Sequence, residues 1–289
     1  MAAAETETEL QHGSSPWRRF RRHRMAQLGV LILVAQILFV TVGPMLSPMD
    51  ALKQNLFARY GAPDSVHWMG TDELGRDLMV RVMLGGRVSM VVGLCAMAFA
   101  LAVGTLLGAI AGYYRKMDSI IMRVTDMMLS FPSIIVLILL ASVFGTGFWT
   151  IVVVVGALRW MSIARIIRAS FLSLREREYV EAARATGAGG FRIVLKHMLP
   201  NTMGPIIVNC TLGVASAILT ESTLSFLGFG IQPPTPTWGN MLQNAQSEMF
   251  DAPWMAIYPG LAILLAVMSI NFIGDGLRDA FDPRANTRG

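Results

Sequence analysis

The chain has 289 residues, of which 54% are hydrophobic and only 15% are charged, and its mean hydropathy is +0.52. A soluble globular domain carries about 25% charged residues, so this composition excludes one. Several apolar runs reach the ~20 residues that a helix needs to cross a bilayer core, which predicts a multispanning, all-α integral membrane protein. The net charge of +5 is explained by the flanks of such spans and by anionic lipid, so no nucleic-acid partner is required.

In chain order, a polar N-terminal tail over 1–27 ends in the basic and aromatic stretch Trp17–Arg24, which we expect to lie on the inner leaflet. An external segment over 49–87 leads into a core domain over 86–276, and residues 277–289 form a C-terminal tail. Six membrane spans are predicted, over 28–48, 88–112, 120–144, 148–166, 203–229 and 256–275.

The distribution of basic residues predicts the orientation of these spans. Of the 24 Lys and Arg residues, 19 fall in the two tails, the turn after the second span and the loop after the fourth span, in which Arg159 is counted. The other five fall in the external segment. Because basic residues are enriched in cytoplasmic flanks, both termini and the loop 173–199 are predicted to be cytoplasmic, and the Pro-rich segment 230–255 an external cap.

The cytoplasmic loop is polar, small and Gly-rich, although it connects two hydrophobic spans. Ser173 and Glu176 have the spacing of a capping box, which predicts that a short helix begins there. Strong helix formers follow, and Gly187 stands where a helix end favours a left-handed residue. A second helix is predicted over 191–199. Two interpretations stay open: the first helix docks in a groove of another protein, or it only seals the inner leaflet.

The same loop resembles the EAA motif of the permease subunits of ABC importers. The resemblance implies that this stretch is the coupling helix, which seats in a cleft of a cytoplasmic ATPase. His197 stands where the family consensus prefers Ile, and H-x-L-P-N is common in the peptide-transporting branch, so we interpret His197 as a subfamily marker. The residues that carry the resemblance are Glu181, Ala182, Ala183, Gly187, His197, Leu199 and Pro200.

Three further stretches resemble signatures of the dipeptide, oligopeptide and nickel permease family, in its subunit with the short N-terminus. Residues 67–90 are similar to the family's H-x-x-GTD-x-x-GRD signature, 221–239 to its second signature and 274–284 to its C-terminal ending. With the EAA motif, the matches cover about residues 25–284 in the family's order. The signature residues of the external segment are Gly70, Thr71, Asp72, Gly75, Arg76 and Asp77.

This resemblance implies the type I ABC importer permease fold, in the inner membrane of a bacterium or archaeon. It implies a homologous second permease, two ABC ATPase subunits and an external solute-binding protein as partners, besides membrane lipid. The chain has no G-x-x-x-x-G-K-[ST] sequence, so we expect no enzymatic activity, catalytic residue, cofactor or metal in it, and ATP and Mg²⁺ on the partner ATPases. The favoured cargo is a di- or oligopeptide, and nickel chelate, haem or another small solute is the alternative.

Several acidic residues admit more than one role. Asp72, Glu73 and Asp77 are predicted to pair with neighbouring arginines in a self-contained loop, and the alternative is that this loop faces the binding protein or the second permease. Glu221 lies within an apolar run, where ionisable groups are costly and face a cavity or a partner. It is predicted either to line the translocation path or gate, or to pair locally and hold the outer end of its span.

Two other functional classes compete with an ABC permease. A secondary transporter driven by an ion gradient would use Glu221 as its proton carrier, but the sequence lacks the internal symmetry typical of such carriers. A membrane-embedded hydrolase would need a nucleophile and a base on facing spans, and none of the four His residues lies in mid-span. Gly104, Gly108 and Gly112 form a GxxxGxxxG ridge, which predicts close packing with another helix.

Overall fold

The computed structural model of the protein describes residues 16–281, so the ends of the predicted tails, 1–15 and 282–289, lie outside the described residues. Residues 16–281 form helices and connecting loops, with an isolated β-bridge between Thr71 and Asp77. The helices are α1 (Pro16–Phe20), α2 (Arg24–Thr41), α3 (Gly43–Leu46), α4 (Leu78–Tyr113), α5 (Arg115–Leu129), α6 (Ser133–Phe144), α7 (Phe148–Leu174), α8 (Glu178–Ala185), α9 (Gly190–Ile193), α10 (Met203–Phe226), α11 (Trp238–Asn244) and α12 (Trp254–Phe281).

Five helical stretches within residues 16–281 are long and apolar enough to cross a membrane: α2, α4, α7, the run from α9 to the end of α10, and α12. α5 and α6 meet at a bend of 91° and would make a sixth span only as a bent pair. The span predicted over 120–144 is therefore not one continuous helix but falls on two helices, α5 and α6. Pro132, at the N-cap of α6, has no N–H with which to continue α5.

The second span begins ten residues earlier than predicted, at Leu78. Its start is set by Asp77, whose carboxylate accepts a hydrogen bond from the backbone N–H of Val80 at 2.9 Å. The first turns of α4 therefore belong to the segment that was predicted to be an external connection.

The fourth span continues beyond its predicted end at 166, to Leu174. Ser173 lies inside α7, so the predicted capping box with Glu176 is wrong. The helix of the predicted cytoplasmic loop begins instead at Glu178, with Arg177 at its N-cap and no side-chain cap. The last span is also longer than predicted, because α12 runs to Phe281.

The glycine ridge of α4 packs on α7, which confirms the predicted close helix contact. A Cβ atom added at Gly108 would lie 2.6 Å from the carbonyl oxygen of Ala164. Cβ atoms at Gly104 and Gly112 would lie 2.7 Å from side-chain Cβ of Ile163 and 2.5 Å from that of Phe171. Glycine is required here because the two backbones approach too closely for any side chain.

The external segment 230–255 is ordered around α11 and is tied to α4. Thr237 and Asn240 form a capping box: the Asn240 N–H donates to Thr237 Oγ1 at 3.1 Å and the Thr237 N–H to Asn240 Oδ1 at 2.9 Å. Trp238 is fully buried, and its Nε1 donates to the carbonyl oxygen of Val82 at 2.9 Å. This cap covers the outer ends of α4 and α10.

Candidate functional site

The candidate site is the loop between α7 and α10, in which α8 rests on two apolar anchors. Val180 of α8 and Ile193 of α9 are both fully buried. They pack in one cluster with Ile167 and Phe171 of α7 and with Met198. The other residues of α8 are exposed or half-buried, so this helix contacts the spans along one side and is open on the other.

The end of α8 depends on the backbone conformation of Gly187, which has a φ of +81°. The Gly187 N–H donates to the carbonyl oxygen of Arg184 at 2.9 Å, and the Ala188 N–H donates to that of Ala183 at 3.0 Å. These two bonds are those of a Schellman motif. A Cβ at Gly187 would meet nothing within 4 Å, so glycine is favoured there by the left-handed conformation and not by lack of space.

Tyr113, the last residue of α4, packs against the side of the loop. A Cβ at Gly190 would lie 2.8 Å from Cε1 of Tyr113, so the ring lies directly against the backbone at the start of α9. The guanidinium of Arg184 lies over the same ring, 5.8 Å from its centroid. Sequence reasoning missed Tyr113, because nothing in the pattern links the end of the second span to a loop some 70 residues later.

The open side of the loop forms a shallow groove of about 420 Å³. Glu181 and Ala182 are exposed, and Ala183 is half-buried. Among residues 16–281, no hydrogen bond or ion pair reaches the carboxylate of Glu178 or Glu181. Small side chains and unpaired carboxylates suit contact with another protein. The groove is lined by Tyr179, Ala182, Ala183, Thr186, Gly187, Ala188, Arg192 and His197.

The second helix of the loop is not the regular helix predicted over 191–199. One α-turn is followed by a π-helical turn over Val194–Met198, in which the Leu199 N–H donates to the carbonyl oxygen of Val194 at 2.8 Å. The half-buried His197 lies in the groove wall, and its carbonyl oxygen accepts from Asn201 Nδ2 at 2.6 Å. Leu199, which is half-buried, and Pro200, which is exposed, do not line the groove.

The external signature residues form a separate cluster of buried ion pairs. Asp72 Oδ2 accepts from Nε of Arg76 at 2.6 Å and lies 3.0 Å from Nε of Arg81. Arg76 Nη2 donates to Glu73 Oε1 at 2.6 Å, and His67 Nδ1 lies 2.9 Å from Asp77 Oδ2. The predicted Asp–Arg pairs are present, with Arg81 and His67 as additional partners.

The turns of this cluster explain the glycines of the signature. Gly70 has a φ of +78° and Gly75 a φ of +70°, which side chains rarely adopt. A Cβ at Gly75 would lie 1.8 Å from the carbonyl oxygen of Asn55. The Thr71 hydroxyl accepts from the Gly61 N–H at 2.7 Å and joins the loop to the preceding turn.

Glu221 of α10 is fully buried, beneath the external cap. Its Oε1 accepts from the hydroxyl of Ser225 at 2.7 Å, and Ser222 Oγ lies 3.5 Å from its Oε2. A Cβ at Gly239 of α11 would lie 2.5 Å from the carbonyl oxygen of Ser222, so the cap packs directly on this turn. Of the two roles predicted for Glu221, local support of the outer end of the span matches this position.

An all-helical bundle with five or six candidate membrane spans among residues 16–281 fits a membrane transport subunit. The family profile described as the binding-protein-dependent transport system inner membrane component matches residues 104–287. The N-terminal transmembrane domain of oligopeptide transport permease C matches residues 15–63. The chain belongs to the family of binding-protein-dependent transport system inner membrane components, and it is a multi-pass inner-membrane permease subunit of an ABC importer with the type I fold.

Individual relatives agree with this membership. A protein named as a peptide permease in Brucella suis biovar 1 (strain 1330) is 46% identical over 272 residues, which cover 92% of this chain and 89% of the relative. The dipeptide transport system permease protein DppC of Alkalihalophilus pseudofirmus is 40% identical over 275 residues, or 93% of this chain and 90% of the relative. The oligopeptide transport system permease protein OppC of Haemophilus influenzae is 40% identical over 284 residues, or 96% and 91%.

Proposed function

We propose that this permease subunit imports di- or oligopeptides. The names of relatives at 40–46% identity specify peptides, dipeptides or oligopeptides, and the similarity covers more than nine-tenths of the chain. His197, within the H-x-L-P-N sequence, supports the same cargo. Import of nickel chelate, haem or another solute is the alternative that a transport assay would detect.

The proposed assembly contains this chain, a homologous second permease, two ABC ATPase subunits and an external solute-binding protein. Both termini and the loop with α8 lie in the cytoplasm in this proposal, in agreement with the excess of basic residues in those segments. ATP and Mg²⁺ bind to the ATPase subunits and not to this chain. The external ion-pair cluster lies on the opposite side, where it supports the surface that meets the binding protein or the second permease.

The observation that carries the proposal is that one side of α8 is exposed while its other side packs against two membrane helices. Glu181 and Ala182 face outward, while Val180 is buried against α7 and Arg184 lies over Tyr113 of α4. A force applied to α8 is therefore transmitted to two membrane spans and not absorbed by a flexible loop. We assign Glu181, Ala182 and Ala183 to the contact with the ATPase.

The remaining loop residues support that contact. Gly187 ends α8 so that the chain turns back to the membrane, and His197 forms the opposite wall of the groove. Leu199 and Pro200 connect the π-helical turn to α10. When the ATPases close on ATP, they push on this unit, and the two permeases change from an inward-open to an outward-open cavity.

The test is transport by the complete importer in proteoliposomes. The chain, a second permease and both ATPase subunits are reconstituted, and the binding protein loaded with a radiolabelled dipeptide is added outside. Uptake should require ATP and all the components. Uptake by this chain alone under an ion gradient, without ATP, would contradict the proposal and support a secondary transporter.

A further inference from the structure

Arg159 lies within a candidate membrane span, α7, although the distribution of basic residues had placed it with the cytoplasmic set. It follows Phe148, the first residue of α7, by eleven residues. At 1.5 Å per residue this is about 17 Å along the helix, which is near the middle of a hydrocarbon core of about 30 Å. Its surroundings must therefore compensate a cation at membrane depth.

Arg159 lies in the walls of two clefts in which hydroxyl and amide side chains alternate with apolar ones. The two clefts, of about 170 and 210 Å³, adjoin and share Arg159 and Ser216 in their walls. The polar cleft residues of α10 are spaced by seven, four and three positions, so they lie on one side of that helix. The polar residues that line the two clefts with Arg159 are Ser133, Ser162, Asn209, Ser216, Thr220 and Thr223.

This chain satisfies only a small part of the hydrogen-bonding capacity of Arg159. Its Nη2 donates to Thr220 Oγ1 at 3.2 Å, and the Thr220 hydroxyl donates in turn to the carbonyl oxygen of Ser216 at 2.7 Å. A guanidinium has five N–H donors. Within residues 16–281, no Asp or Glu forms an ion pair with Arg159.

The nearest acidic residue along α10 does not supply the missing anion. Glu221 directly follows Thr220, but it is fully buried beneath the cap and accepts from Ser225. A half-buried arginine among hydroxyls and amides would be costly against lipid tails. The two clefts are therefore expected to face the interior of the assembled importer, where an anion can approach.

We propose that Arg159 binds the carboxylate of a peptide in the translocation path. This inference rests on the proposed function. A guanidinium binds a carboxylate through two parallel hydrogen bonds, and the C-terminal carboxylate is the anion that unmodified peptides share whatever their side chains. The hydroxyl and amide groups beside Arg159 match the polar backbone of such a cargo. One cation thus selects for peptides as a class.

The experiment uses the reconstituted importer with one transported dipeptide in two forms, the free acid and the C-terminal amide. The permease is wild type, Arg159→Gln, Arg159→Lys or Arg165→Gln. Arg165 is the matched control: it lies on α7 outside both clefts and pairs with Asp126 at 2.5 Å. The affinity of the binding protein for each peptide is measured separately, so that its own selectivity can be divided out.

We expect wild type and Arg165→Gln to transport the free acid at least ~10-fold faster than the amide after this correction, because a charge-assisted hydrogen bond is worth at least that factor. Arg159→Gln should lower free-acid uptake by ~10-fold and bring the corrected ratio close to one. Arg159→Lys keeps the charge but not the two-pronged geometry, so part of the preference should return.

An equal effect of Arg159→Gln on both peptides, including no effect on either, would overturn the proposal. Equal loss accompanied by poor recovery of the second permease would assign Arg159 to an ion pair between subunits. If the wild-type importer transports no peptide with ATP, the proposed function itself fails, which the wild-type arm shows before any variant is compared.

Discussion

The external ion-pair cluster and the cytoplasmic loop are both polar, but their charges are satisfied differently. In the external cluster Asp72 contacts two arginines and Asp77 contacts His67, with the acidic groups almost fully buried. In the cytoplasmic loop, Glu181 is exposed and has no partner among residues 16–281. A network that is complete within the chain stabilises the chain, whereas a fixed but unpaired charge on a rigid support suits a partner.

Glu221 and Arg159, which both lie on candidate membrane helices, also differ in how fully the surrounding residues satisfy their charged groups. Glu221 is fully buried, and its carboxylate accepts from Ser225. Arg159 is half-buried, and among residues 16–281 its side chain has one hydrogen-bond partner, Thr220. The surroundings of Glu221 match the predicted local role, one of the two that the sequence left open, and Arg159 is the residue that we propose to contact the cargo.

The largest effect is expected from breaking the cytoplasmic loop. Gly187→Pro removes the N–H that donates to Arg184 and requires a φ near −65°, where the structure has +81°. Glu181→Arg reverses the exposed charge at the proposed ATPase contact. Either change should abolish ATP-driven uptake, while membrane insertion, followed by the amount of permease in the membrane fraction, stays normal.

Two matched variants control for general damage to the loop. Gly189 has a φ of −65° and open space at its Cβ position, so Gly189→Ala should behave as wild type, whereas Gly187→Ala should lose part of the uptake. Normal uptake in Gly187→Pro or Glu181→Arg would defeat the coupling assignment.

The second effect is on stability and concerns the external cluster. Asp72→Asn leaves two buried guanidiniums, those of Arg76 and Arg81, without their shared carboxylate. Removing one partner from a buried ion pair costs roughly 3–5 kcal/mol in the free energy of unfolding. Thermal unfolding in detergent should show this loss.

Asp64→Asn is the control, because the exposed Asp64 only accepts from the backbone N–H groups of Val66 and His67. These bonds lower the pKa of Asp64, so the site favours the ionised form. Asp64→Asn should destabilise the protein less than Asp72→Asn. Equal melting temperatures for Asp72→Asn and wild type would mean that the cluster does not support the fold.

The smallest effect is expected at Glu221. In Glu221→Gln the amide oxygen can still accept from Ser225, so ATP-driven uptake should stay within about twofold of wild type. A proton carrier would not tolerate this change. Complete loss of uptake with normal protein levels would return Glu221 to the translocation path.

The sequence predicted the spans better than their ends, because hydropathy locates apolar stretches and not helix caps. The predicted start of α4 is too late because Arg81 interrupts the apolar run in the sequence. In the fold Arg81 is paired with Asp72, and the helix includes it. The span over 120–144 was assigned by length and average hydropathy, which do not detect the bend at Pro132. Both differences arise from an ion pair or a bend, which hydropathy averaged along the sequence does not detect.

The site was predictable where one residue dictates local conformation. Gly187 was correctly placed at a helix end, because a left-handed residue there favours glycine in any context. Tyr113 and Arg159 were not identified as site residues, because each contacts a helix that is distant in sequence. Arg159 was counted with the cytoplasmic residues by the positive-inside rule, because the hydroxyl of Thr220 that accepts from it lies on α10 and cannot be located from the sequence.

The central claim is that the exposed side of α8 contacts an ATPase subunit. The direct measurement places a photoreactive benzoylphenylalanine at position 182 in the intact importer, with position 57 as the control, because Phe57 is fully exposed in the external segment. Illumination should join position 182, but not position 57, to the ATPase. Crosslinks from position 182 to lipid or to this chain alone would contradict the claim and support a helix that only seals the inner leaflet.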